Sequence, residues 1–129
     1  MKLRIQGNSL RFRTTRSEVA RLIDAGRIEE TVFFAASDHG KLTYALELEH
    51  GEQQRFLGLR YQPSEIVIVL PTEQARAWAE GSIVGIYHSI DLGIRGPLEL
   101  IVEKDFACLD GADADNFDTF PNPKVGAIC

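Results

Sequence analysis

Long apolar stretches are missing from this 129-residue chain: no run exceeds five residues, and the run Ile66–Leu70 is stopped by Pro71. A bilayer-spanning helix needs about 20 apolar residues, so none is encoded. The opening Met1-Lys2-Leu3-Arg4-Ile5-Gln6 has no apolar signal core, and the expectation is a cytoplasmic protein. Cysteine is scarce, two residues in all, which leaves no disulfide framework of the kind small secreted domains use. Gly-x-Gly-x-x-Gly and Gly-x-x-x-x-Gly-Lys-Ser/Thr are both absent, so no phosphate-cradling loop is encoded. Also absent are a Gly-x-Ser-x-Gly nucleophile elbow and a His-Glu-x-x-His zinc pair.

What is present is an ordinary globular composition, 44% apolar and 26% charged. A chain of this length buries roughly two thirds of its unfolded surface, enough for a core without a metal or a cross-link. The net charge of -5 argues against nucleic-acid binding driven by overall charge. That average hides a division. Residues 1–27 hold seven basic side chains (Lys2, Arg4, Arg11, Arg13, Arg16, Arg21, Arg27) against Glu18 and Asp24, and the remainder holds seven basic against 17 acidic ones. Such asymmetry calls for an anionic partner or for pairing within the fold.

Leu3 and Ile5 alternate with Lys2 and Arg4, and after Gly7-Asn8 Leu10 and Phe12 alternate with Arg11 and Arg13. Period two on both sides of a Gly-Asn pair predicts a β-hairpin. Thr15-Arg16-Ser17-Glu18 fits a capping box opening a helix whose apolar face is Val19, Leu22 and Ile23 and which Gly26 ends. Strands are predicted from Ile28 to about Ala36 and, with clear one-sided alternation, over Leu42–Leu48. A second hairpin is predicted over Arg55–Tyr61 and Glu65–Leu70, around Gln62-Pro63-Ser64. Pro71-Thr72 then opens a short helix with Ala75, Trp78 and Ala79 inward, closed by Gly81. Ile83–Leu92 and Leu98–Lys104 form the last strand pair, joined through Gly93-Ile94-Arg95-Gly96-Pro97.

The order strand, strand, helix, strand, strand occurs twice. A shift of 56 residues lays Leu10 and Phe12 on Ile66 and Ile68, Leu22 on Trp78, Gly40 on Gly96, and Glu47 on Glu103, and it also lays Leu3-Arg4 on Leu59-Arg60. The expected fold is α+β: one mostly antiparallel sheet or partly closed barrel with two short helices, in two similar halves related by a pseudo-twofold. Residues 1–105 are expected to form one domain, with halves of about 1–52 and 53–105, and 106–129 an extended tail packed across it. The tail carries Phe106, Leu109, Phe117, Phe120, Val125 and Ile128, more apolar residues than a disordered segment normally has.

Two places could carry chemistry. In the first hairpin Arg4 falls opposite Arg11 and Lys2 opposite Arg13. Like charges so opposed are destabilising, and the protein's own Glu47, Glu49, Glu103 or acidic tail, an anionic ligand such as phosphate, a nucleotide or a nucleic-acid backbone, or plain solvation should offset them. In the tail, Cys108 and Cys129 could hold zinc with His88, His39, His50 or a nearby aspartate, and Cys108 beside His88 could act as a thiol nucleophile. Against this, no Cys-x-x-Cys pair exists, and a lone His within the apolar run around His88 reads first as a hydrogen-bonded core or edge residue rather than a ligand. A disulfide between the two cysteines is the less expected state in a reducing compartment. Of Phe33 and Phe34, one is expected in the core and the other on a contact surface.

Glu103-Lys104-Asp105-Phe106-Ala107-Cys108-Leu109, then Asp115-Asn116-Phe117-Asp118-Thr119-Phe120-Pro121-Asn122-Pro123 and a final Cys129, resembles the ending of a family of small uncharacterised bacterial proteins. Leu3–Arg11 and the helix start Ser17-Glu18-Val19 are similar too. The resemblance implies a bacterial source and a shared compact domain, and it brings no activity and no catalytic residue. The resulting expectation is a non-enzymatic ligand- or partner-binding domain, able to form a homodimer. The alternatives are an anion binder built on Lys2, Arg4, Arg11 and Arg13, and a metal- or thiol-dependent enzyme built on Cys108, Cys129 and a histidine.

Overall fold

The computed structural model describes residues 1–51, 54–106 and 118–121. Alternation builds the first hairpin, β1 (Lys2–Gln6) and β2 (Ser9–Thr14). Its register places Arg4 opposite Arg11 and Lys2 opposite Arg13. Gly7 has φ 55° and Asn8 stays at negative φ, the pattern of a type II′ turn. Helix α1 (Arg16–Ala25) starts where the capping residues stand: the Glu18 carboxylate accepts the Thr15 backbone N–H at 2.9 Å and the Thr15 hydroxyl at 3.0 Å. It stops at Gly26, whose φ of 84° is costly for any residue with a Cβ.

Strands β3 (Arg27–Phe33) and β4 (Lys41–Leu48) follow, then β5 (Gly58–Gln62), β6 (Glu65–Leu70), α2 (Thr72–Glu80), β7 (Gly85–Asp91) and β8 (Pro97–Lys104). Strand β3 stops short of Ala36 because the amides of Phe34 and Ala35 both turn onto the Gly40 carbonyl. Phe33 and Phe34 are therefore both exposed, at 68% and 70%, and neither enters the core. Nor is β4 one-sided. Thr43, Ala45 and Glu47 are buried along with Leu46 and Leu48, because β4 lies inside its sheet, between β3 and β6.

The class is α+β with mostly antiparallel pairing and two similar halves. The strands divide into two four-stranded sheets, β1-β2-β8-β7 and β3-β4-β6-β5, which do not close into a barrel. The halves exchange hairpins. The opening hairpin of the first half lies beside the closing hairpin of the second, through parallel β2 and β8, and β6 lies parallel to β4 in the other sheet. Ser9 faces Glu99 in one junction and Glu65 faces Thr43 in the other, the same register under the 56-residue offset. Strands β1, β2, β4 and helix α1 begin at that offset from β5, β6, β8 and α2, while β3 and β7 are offset by 58.

Both sheets and both helices feed one core cluster, which includes Phe12, Leu22, Leu46, Ile68, Leu70, Trp78, Leu100 and Val102. Trp78 is fully buried and donates its indole N–H to the Val84 carbonyl at 3.1 Å. Of the tail, the described residues 118–121 touch the body. The Asp118 carbonyl accepts the Arg16 N–H, the Phe120 N–H donates to the Asp105 carbonyl, and the Phe120 ring packs against the core.

Candidate functional site: the outer face of the first hairpin

Strand alternation sends Leu3, Ile5, Leu10 and Phe12 to one face of the hairpin and Lys2, Arg4, Arg11 and Arg13 to the other. β1 is an end strand of its sheet, and the parallel partner β8 brings Glu103 directly beside Arg13. The Glu103 carboxylate stands 3.2 Å from Arg11 Nε and 3.9 Å from Arg13 Nε. It also accepts the Tyr87 hydroxyl at 3.2 Å. Burial, and then the Glu103 charge, hold the Tyr87 phenol above its usual range. Lys2 Nζ reaches the buried Asp105 at 3.1 Å. Three of the four hairpin cations thus have an internal counter-ion. Arg4 is exposed and, among the described residues, makes no ion pair.

The other sheet shows what a neutralised version of this face looks like. Glu47, the counterpart of Glu103, is held by Arg60 at 2.8 Å and by Arg27 at 3.1 Å. The Arg60 hydrogen bond, with Arg27 adding to it against the opposing effect of burial, keeps the Glu47 carboxyl below its usual value. Arg27 further reaches Glu65 at 3.5 Å and Glu29 at 3.6 Å. Among the described residues that face sets three carboxylates against two guanidiniums, whereas the first hairpin sets Glu103 and Asp105 against four cations. Arg4 holds the place of Arg60 but finds Glu103 already shared between Arg11 and Arg13.

His88 lies in β7 opposite Leu100, half-buried, with its ring stacked on Phe56 at 4.6 Å and 5°. His39 and His50 are exposed. Cys108 and Cys129 lie outside the described residues, among which no group of three or more His, Cys, Asp or Glu side chains is placed to hold a metal. The sequence reading missed Lys104, which takes the place of Leu48 in the other half. Its ammonium is buried, donates to the Gly81 carbonyl at 2.8 Å and lies 5.1 Å from the Phe120 ring centroid. Burial lowers its pKa. The only legible signal was a lysine at the inward position of an alternating strand.

Residues 1–124 match a family of unknown function, DUF7009. The chain belongs to that family. Comparison with curated proteins found no match, and comparison with solved structures found none either. The expected kinship with an uncharacterised family is therefore met, and membership in DUF7009 brings no activity with it. Among the described residues of this DUF7009 chain no helix is long and apolar enough to cross a membrane.

Proposed function

We propose that the chain is a non-catalytic binding domain whose outer hairpin face takes an anionic partner through Arg4, with Lys2, Arg11 and Arg13 around it. One observation carries this reading: Arg4 occupies the place where the other half binds Arg60 to a carboxylate, yet among the described residues it has none itself. An arginine fork is matched to carboxylate or phosphate, and a local excess of positive charge raises the encounter rate with anions even on a protein of negative net charge.

The test is fluorescence anisotropy with labelled polyglutamate and, in parallel, inorganic polyphosphate at low and moderate salt. The expected result is salt-sensitive binding by the native chain that falls by roughly 10-fold in Arg4→Glu, as a charge-assisted contact of about 1.5 kcal/mol implies. No binding by the native chain, or equal binding by the variant, overturns it.

A further inference from the structure

We infer that β1 is a docking edge for an extended peptide that alternates acidic and apolar residues, added to the sheet as a fifth strand. This rests on the anionic-partner reading above and names the partner's chemistry. The edge strand offers the partner a ladder: among the described residues β1 pairs only with β2, and the backbone groups of an end strand on its open side form a template for another chain. Its five residues span about 17 Å, the reach of five or six peptide residues.

The two faces of that edge differ in kind. Lys2 and Arg4 lie on the outer side with Arg11 and Arg13 behind them, and Leu3 and Ile5 lie on the inner side, Ile5 with 59% of its surface exposed. A strand laid against β1 presents alternate side chains to the same two faces. Acidic residues would face Arg4 while apolar ones cover Ile5. A second copy of β1 is disfavoured as the occupant, since Lys2 and Arg4 would meet their own kind.

The other three edges lack this combination. β3 carries Glu29 and Glu30, and Glu30 is taken by Tyr44. On β5 the Arg60 guanidinium is taken by Glu47. On β7 the ring of Phe56 already covers His88.

The experiment uses the full chain and three acetylated peptides: one alternating glutamate with valine over seven residues, one of the same composition with its glutamates and valines in two blocks, and the alternating one N-methylated at every second amide. If the inference holds, the alternating peptide binds at least about 10-fold more tightly than either of the others, the difference made by its backbone hydrogen bonds to β1. It also slows hydrogen exchange at the β1 amides, and Arg4→Glu abolishes its binding. Equal binding of all three, lost in Arg4→Glu, overturns strand addition and leaves the anionic-partner reading standing. No binding of any peptide together with no binding of polyglutamate or polyphosphate overturns both.

Discussion

Arg60 Nη1 lies 2.8 Å from Glu47 Oε2, and Arg4, 56 residues earlier in the chain, has no carboxylate to match among the described residues. The two sheets are built alike and charged differently. That difference separates side chains tied into the fold from one that, among the described residues, is not.

Glu47 is the centre of the structural cluster, with only 11% of its side chain exposed. Glu47→Gln removes the charge that both Arg27 and Arg60 address and leaves Arg27 half-buried without its nearest partner. The expected cost is about 1–3 kcal/mol in urea denaturation. Arg4→Ala, at an exposed position without a counter-ion among the described residues, is expected to stay within about 0.5 kcal/mol of the native chain. A larger loss from Arg4 than from Glu47 would reverse the assignment of roles.

The same cluster sets an acid limb. Glu47 has its folded pKa held below the ordinary 4.5, chiefly by the Arg60 hydrogen bond. The unfolded chain therefore binds the proton more readily, and the stabilisation is present above about pH 4.5 and lost as pH falls through the lower folded value. Glu18 acts in the same direction. Burial pushes its carboxyl up, but the neighbouring terminal amine and the Thr15 N–H outweigh this and leave it lowered. Melting temperature followed from about pH 7 to about pH 3 should fall, and fall less steeply in Glu47→Gln; parallel curves would remove Glu47 from the acid response.

Phe12 is fully buried between the sheets and stacks on Tyr44 at a centroid distance of 6.0 Å. Phe12→Ala is expected to cost about 3–5 kcal/mol, from lost transfer free energy and the cavity left behind. The chain's one tryptophan, Trp78, is buried and reports the change. Its emission should be blue-shifted in the folded state and move red at a lower urea concentration in the variant.

The start of α1 is a smaller test. Thr15→Ala removes the hydroxyl that meets Glu18 at 3.0 Å and should lower stability by about 1 kcal/mol in urea denaturation. An unchanged midpoint would show that Glu18 alone caps the helix.

Local signals wrote most of this structure in advance. Gly7-Asn8 between two alternating runs set the hairpin register through Arg4 and Arg11, and Thr15 with Glu18 marked a helix start that the structure shares. The offset of 56 placed four pairs of elements. What could not be read was whatever depends on which strand neighbours which. The exchange of hairpins joins residues 90 positions apart, such as Ser9 and Glu99, and no periodicity reports that. Glu47 looked like the solvent side of a half-buried strand and became buried because β4 lies inside its sheet. Phe33 and Phe34 looked like half a core and stayed outside because β3 is an edge that ends early. At the candidate site the like-charge pairs were legible, and Glu103 stood among the acids expected to answer them; that it would answer Arg11 and Arg13 and leave Arg4 over was a matter of three-dimensional reach.

The exchanged hairpins also decide what a break in the chain would do. A cut near Gly51 yields two pieces, each with a helix and two hairpins but with neither parallel junction, so Phe12 in one loses its lateral neighbour Val102 and Ile68 in the other loses Leu46. Neither fragment can complete a sheet from its own strands. Mixed, they would supply each other's missing neighbours, and since both junctions share one register, two identical fragments could stand in for the pair. The geometry of one polypeptide is here the geometry of an assembly joined by a tether.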